Sequence, residues 1–517
     1  MLTARFELGD EQLGVDDAVT DLISRHAVER IWSSDHTLFQ DDPTECANRF
    51  GWLETTHDSL AAWSELSAAA AALATETDHV VLMGMGGSSL FPEVLAKTFG
   101  SAPGFPELHV IDTTHPDAVE RVTLSCSPER TFYIAASKSG STVETRSQLA
   151  HFWQRHPDGS RFGVITDPGS ALGDLARSRS FAHVWENDPD IGGRFSALSL
   201  FGMVPAALIG VDGPRLLDSA GDAADGMAPG DDEHNAGLRL GAVMGALALR
   251  GRDKMVVRLD PRLGAMGVWL EQLVAESLGK HGGGVVPIVE EPNSVVPDGS
   301  DRWSVTIGEV PGAWDRARSA GSIPRGGEPE VRLAIDDEYD LGGQVLAWEF
   351  ATTVAGAVMG VNPFDQPDVE SAKVAAREAL ASGTPPAPAP SSLEDLVASL
   401  SPGDHLAVTA FVDPDSAVVD QLRSATSRIA ERHGAVSTFG VGPRFLHSTG
   451  QLHKGGPDSI VVVQVIDTPE AEVDIPDEPF SFGQLISAQA AGDLLALAGS
   501  GKRHGRVSAE DLIDAAR

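Results

Sequence analysis

The sequence predicts an α/β protein: two doubly wound parallel-sheet units, preceded by a helical extension and followed by a smaller α/β block. Three observations carry that prediction. From His79 onward, short apolar runs alternate with helical patterns, as a parallel sheet with helices on both faces requires. The same alternation restarts after a Gly/Asp-rich stretch at Ala228–His234. A Pro-rich stretch, Thr384–Ser392, then reads as an extended linker ahead of a last β/α segment.

The extension, residues 1–78, rests on helical spacing of apolar positions in Val15–Trp32 and His57–Thr77. The first unit, residues 79–227, has strand runs at His79–Met83, Leu108–Asp112, Thr131–Ala135, Arg161–Thr166 and Phe181–Trp185. Helical patterns separate them at Leu90–Phe99, Pro116–Leu124, Thr142–His156 and Ser170–Ala176. The uncharged run Phe195–Val211 is broken by Gly202 and Pro205; it is short for a membrane span and reads as a buried helix. The second unit, residues 228–383, opens with helix Asn235–Arg250, strand Lys254–Asp260 and helix Gly264–Gly279. Strands are expected at Val285–Val289, Trp303–Ile307 and Val331–Ile335, before a deep-packing helix of Ala, Val and Gly at Leu341–Gly360. The block at residues 393–517 reads β-α-β-β over His405–Val412, Asp415–His433, Val436–Val441 and Ser459–Ile466, closed by helix Gly483–Leu497.

Charge narrows the partners. Thirty-eight basic against 75 acidic side chains give −37, which argues against nucleic acid or an anionic membrane as the main partner. A phosphorylated ligand must then be gripped by local cations and dipoles. Two cysteines, Cys46 and Cys126, rule out a disulfide framework and fit a reducing compartment. The first residues lack the apolar core of a secretory signal, so a cytoplasmic location is expected.

The stretch Ala136–Thr145 reads Ala-Ser-Lys-Ser-Gly-Ser-Thr-Val-Glu-Thr, between a buried strand and a helix start. The N–H groups and dipole of a helix start attract phosphate, and Ser137, Ser139, Ser141 and Thr142 add hydroxyls while Lys138 adds charge. Taken alone, such a stretch is more often an ordinary capped βα turn. Gly84-Met85-Gly86-Gly87-Ser88-Ser89 follows the first strand, where close approach of backbone to ligand needs glycine. With Asp112 ending the next strand it is a weak match to a dinucleotide fingerprint, since Ser89 replaces the third glycine. Gly192-Gly193 lets the chain turn tightly and present Arg194, whose forked guanidinium binds oxyanions. Gln272 and Glu276, four apart, share a helix face. Asn362–Lys373 is a proline-stiffened turn entering a helix that Asp368 can cap.

Together these motifs resemble the glucose-6-phosphate isomerase family, built of two sugar-isomerase (SIS) domains. Gly192–Ser196 resembles one family signature; Phe364-Asp365-Gln366 with Val369, Glu370 and Lys373 resembles the other. The flanks resemble the isomerase half of actinobacterial transaldolase–isomerase fusions. The resemblance implies an aldose–ketose isomerase that moves a proton between C1 and C2 of a hexose 6-phosphate through a cis-enediol. By position, Glu276 is the implied base and Arg194 the stabiliser of the enediolate. Gly87, Ser88, Ser137, Lys138, Ser139 and Thr142 are the implied phosphate holders. Gln272 and Gln366 bind hydroxyls, and Lys373 assists near the ring oxygen. No metal or redox cofactor and a homodimer are also implied.

One departure stands out. The family opens the ring with a histidine between the Glu helix and the Phe-Asp-Gln turn, but no histidine lies between His281 and His405, an interval that offers Arg325 and acidic residues instead. His447 or His453, in the glycine-flanked loop Arg444–Gly456, is the expected substitute, with His281 as a further candidate. A loop that only caps the fold or forms a subunit contact is the competing reading. Two other classes stay open from sequence: a non-catalytic sugar-phosphate sensor, and an NAD(P)-dependent oxidoreductase using Gly84–Ser89.

Overall fold

Among the residues that the computed structural model describes (3–290, 296–308, 328–382 and 391–517), the strands gather into three sheets. The chain starts with β1 (Ala4–Glu7), followed by helices Gln12–Ser24, Ala27–Trp32 and Thr55–Ala74. β1 departs from the helical reading of residues 1–78; four residues are too few to display a strand period, and a tertiary partner fixes them.

The first sheet contains β2 (His79–Gly84), β3 (Glu107–Ile111), β4 (Thr131–Ala136), β5 (Phe162–Thr166) and β6 (His183–Glu186). All are parallel, in the order β3-β2-β4-β5-β6. The order reverses at β2, so a crevice opens beyond the carboxyl ends of β2 and β4. Both loops singled out above leave from those ends.

The second sheet contains β7 (Lys254–Leu259), β8 (Val286–Val289), β9 (Arg302–Gly308) and β10 (Glu330–Ala334), with β1 on its edge. Its order is β1-β10-β9-β7-β8, parallel except that β1 runs antiparallel to β10, Phe6 opposite Val331. Helix Met266–Leu278 follows β7. Helices Ala236–Leu249 and Leu341–Met359 lie against each other, where a Cβ at Gly241 would stand 2.5 Å from the Ala351 carbonyl oxygen. Only glycine permits that approach. One apolar core, including Phe91, Phe132, Trp269, Trp303 and Trp348, runs through both sheets.

The third sheet contains β11 (His405–Phe411), β12 (Val436–Val441), β13 (Ile460–Ile466) and β14 (Arg503–Val507), all parallel, ordered β12-β11-β13-β14. β14 and the closing helix Ala509–Ala515 extend the block beyond its sequence reading. The charged edge strand Arg503–Val507 hides its pattern. The block has its own core around Leu406, Val408, Leu422 and Val463. It also shares a second cluster: Ala407, Val436, Leu452 and Ile460 pack on Ala275, Val286 and Ile288. Ala275 neighbours Glu276, so this docking carries the loop after β12 to the crevice.

Candidate active site

Four segments meet where the first sheet ends. Gly86 sits at φ +56°; a Cβ there would lie 2.7 Å from the His447 carbonyl oxygen and 2.9 Å from Gln272 Nε2. A Cβ at Gly87 would collide with the Gly193 carbonyl. The two glycines thus let the loop after β2 fit under the Arg194 turn, the Glu276 helix and the C-terminal block at once. Ser88 is half-buried beside them.

In the loop after β4, Ser137 Oγ lies 3.0 Å from Thr142 Oγ1 and accepts from the Gly140 N–H at 3.2 Å. Ser139 Oγ lies 2.9 Å from Ser141 Oγ, both exposed. Thr142 caps helix Val143–Arg155 without using its hydroxyl on the helix. The Lys138 ammonium departs from the expectation that it faces a phosphate: it donates to Asp167 Oδ2 at 2.5 Å and the Pro189 carbonyl at 2.6 Å. It therefore ties the hydroxyl loop to the segment leading into Arg194.

Arg194 is buried and locked. Its Nε donates to Ser277 Oγ at 2.7 Å, and Nη2 donates to the carbonyls of Pro363 and Asp365 at 2.6 and 3.0 Å. Nη1 is left beside Glu276 Oε1 at 3.9 Å. Gln272 Nε2 bridges Glu276 Oε2 at 3.2 Å and the His447 carbonyl at 2.8 Å. Burial pushes the Glu276 carboxyl above its ordinary value; Arg194, His447, the Gln272 hydrogen bond and Lys373 oppose that rise without cancelling it. Lys280, buried, holds the neighbouring turn by donating to Asn362 O and Asp365 Oδ1, both at 2.5 Å. Burial lowers its pKa to about 8.

The two histidine candidates separate. His447 Nε2 lies 2.9 Å from Glu144 Oε1, so the C-terminal block delivers an imidazole to the helix that follows the hydroxyl loop. His453 does not join it. It is buried beside Phe445 with neither ring nitrogen hydrogen-bonded, and burial together with Lys454 and His405 drives its pKa well below the usual histidine range. The reason is local: His447 ends the Arg444–His447 turn, whereas His453 sits on helix Gly450–Gly455, every residue of which is buried. His281 is exposed at φ +56°, and Arg325 lies outside the described residues. Gln366 is exposed next to Asp365; Lys373 is exposed on helix Glu370–Ser382, its charge acting on both Glu276 and Glu144.

Two side chains that sequence reading passed over complete the histidine's setting. Glu144, buried in the first turn of helix Val143–Arg155, also accepts from Gln489 Nε2 at 2.7 Å, and Gln489 Oε1 accepts from Thr114 at 2.7 Å. Burial alone would raise Glu144, but the charge and hydrogen bond of His447 hold it below its ordinary value. A glutamate at a helix start is an available signal, though it reads first as a partner of the dipole. Asp112, the residue a dinucleotide site would turn to the ribose, is instead buried against Arg444 Nε at 2.7 Å and Ser89 Oγ at 3.2 Å. That pairing argues against nicotinamide binding at Gly84–Ser89. The assembled chemistry is a raised carboxylate beside a fixed guanidinium, an imidazole on a second carboxylate, and a hydroxyl-rich helix start.

Comparison with known proteins points to one family. The family model described as phosphoglucose isomerase matches residues 66–287. A glucose-6-phosphate isomerase of Rubrobacter xylanophilus is 32% identical over 356 residues, aligning 58% of this chain with 81% of that protein. A probable glucose-6-phosphate isomerase of Methanococcus maripaludis is 26% identical, over 65% of this chain and 85% of that one. Among solved structures, a glucose-6-phosphate isomerase from Chlamydia trachomatis has a TM-score of 0.62 at 18% identity, covering 74% of this chain and 89% of that chain. A hypothetical protein from Thermus thermophilus has a TM-score of 0.60 at 24% identity, covering 74% and 100% respectively. At those identities the two structures speak for the fold.

Proposed function

The chain belongs to the glucose-6-phosphate isomerase family, and from that premise we propose how its residues divide the interconversion of glucose 6-phosphate and fructose 6-phosphate. Ser137, Ser139, Thr142, Gly87 and Ser88 hold the phosphate with the helix start behind them, and Lys138 braces their loop. Gln272 and Gln366 take sugar hydroxyls, with Lys373 at the ring oxygen. His447, oriented by Glu144, opens the ring by moving a proton between the ring oxygen and the anomeric hydroxyl. Glu276 then takes the proton from C2 and returns it to C1. Arg194 stabilises the negative oxygen that develops, the electrostatic contribution that is usually the largest.

The observation that carries this reading is the 2.9 Å contact of His447 with Glu144, reached in the same site where Gln272 touches Glu276. It supports assigning to the C-terminal block the ring-opening step that no histidine of residues 282–404 can supply. A tetrose 4-phosphate, which cannot close a stable ring through its phosphorylated oxygen, separates the steps. His447→Ala should lose turnover on the hexose phosphate by about 100-fold or more and spare enolisation of the tetrose. Equal loss on both would remove the ring-opening role.

Cytoplasmic location and homodimer formation belong to the same proposal. No helix among the described residues is long and apolar enough to cross a membrane.

A further inference from the structure

We propose that His79, Glu107, His109 and Cys126 bind a zinc-type cation at the amino-terminal edge of the first sheet. The register of the sheet creates the cluster. Glu107 stands opposite His79 on the adjacent parallel strand, and His109 stands opposite Val81, so all three project from one face with diagonal neighbours in reach. Cys126 ends helix Pro116–Ser125, the crossover that covers this face, and packs in the same cluster as Val81, Ile111 and Tyr133.

Three potential ligand atoms, from His79, His109 and Cys126, cluster together, and the Glu107 carboxylate stands beside the two rings. His79 Nδ1 and His109 Nε2 are 3.0 Å apart. Glu107 Oε2 lies 3.9 Å from the first and 3.7 Å from the second. The two ring nitrogens and Cys126 Sγ all lie within 4.8 Å of one another. Tetrahedral zinc with Zn–N and Zn–O near 2.1 Å and Zn–S near 2.3 Å sets neighbouring ligand atoms about 3.3–3.7 Å apart. The nitrogen and oxygen separations bracket that range, and the sulfur stands no more than 4.8 Å from either ring nitrogen.

A proton shared between the rings accounts for the 3.0 Å contact but gives no reason for a buried thiol to stand within 4.8 Å of both. Imidazole and thiolate together select a borderline-soft ion over magnesium or calcium. The side chain of Glu107 is 69% exposed while Cys126 is 2% exposed, which gives the ion a route in and a closed floor. Binding exchanges the thiol proton for the metal; no oxidant or further reactant is needed. The isomerase crevice lies beyond the opposite ends of these strands, so the ion is structural.

The test uses the full chain, stripped with a chelator and titrated with Zn²⁺ and with Co²⁺. One ion per chain should bind, with a thiolate-to-cobalt charge-transfer band and an unchanged isomerase rate. His109→Ala and Cys126→Ser should each weaken binding by at least about 100-fold, since loss of even an outer-shell partner costs 10- to 100-fold. If Cys126→Ser does not fold, the exposed Glu107→Gln serves in its place. Substoichiometric uptake by the parent, or uptake by the variants equal to the parent's, overturns the proposal.

Discussion

Two buried carboxylates feel the charge of His447, and the protein drives them in opposite directions. Burial acts on Glu144 and Glu276 alike, favouring the neutral form of each. Glu144 meets that cost with close donors, His447 at 2.9 Å and Gln489 at 2.7 Å, in the first turn of a helix. It ends below its ordinary value. Glu276 has one side-chain hydrogen bond, from Gln272 at 3.2 Å, and a guanidinium held 3.9 Å away by three other acceptors. It ends above its ordinary value. The closer charge and hydrogen bond of His447 thus hold one carboxyl down while burial wins at the other, and paired groups tuned apart in this way are the pattern expected of acid and base roles.

The sharpest break in that comparison comes from Glu276→Gln. Turnover should fall by about 100- to 10,000-fold, the range a positioned base supplies, while a sugar-acid phosphate inhibitor still binds. Equal loss of both would make the residue a binding group instead. The pH profile of kcat/KM in the parent should show an acid limb above the ordinary glutamate value of 4.5, because activity needs the ionised form. Stability gives a second sign. A carboxyl whose folded pKa lies above its unfolded one binds more protons when folded, so it costs stability as pH rises through and beyond that interval. Glu276→Gln should therefore raise the unfolding midpoint at neutral pH while abolishing turnover.

Glu144→Gln should behave in the opposite sense. Its depressed carboxyl contributes stability that is present above the unfolded value and lost as pH falls through the folded one. The variant should lower the unfolding midpoint at neutral pH, and the deficit should shrink on acidification below 4.5. Hexose phosphate turnover should drop by about 100-fold as the acceptor that orients His447 loses its charge, with tetrose phosphate enolisation largely kept. A variant that lost both reactions equally would place Glu144 with Glu276 rather than against it.

The contrast was only half visible in the sequence. Glu276 and Arg194 could be read because each sits in a local pattern: a helix face shared with Gln272, and a tight glycine turn. The strands and helices of the first two sheets were legible for the same reason, since their periodicity is local. Glu144 was not, because what sets its state lies 303 and 345 residues away, on a turn and a helix of the C-terminal block. Lys138 looked like a phosphate ligand until Asp167, 29 residues on, took its ammonium. Of two histidines in one loop, His447 reached Glu144 and His453 entered the core, a choice made by the packing of the Gly450–Gly455 helix. β1 hid for a simpler reason, being fixed by β10 and not by its own pattern.

The smallest expected effect refines the comparison most. Gln489 donates to Glu144 and accepts from Thr114, all three buried, so it links helix Phe482–Gly499 to the carboxylate that His447 contacts. Gln489→Leu removes one donor from Glu144 and leaves the Thr114 hydroxyl without its acceptor, while His447 stays in place. Losing one hydrogen bond to a charged group is worth about 1.5–3 kcal/mol, enough to raise the Glu144 pKa without converting it into a second Glu276. Turnover on hexose phosphate should fall by about tenfold, since about 1.4 kcal/mol is one decade, with KM little changed. The acid-side loss of stability should move to higher pH. Gln489→Glu, a near-isostere that sets a like charge against Glu144, should do worse than Leu; if it restores turnover, the donor role assigned to Gln489 is wrong.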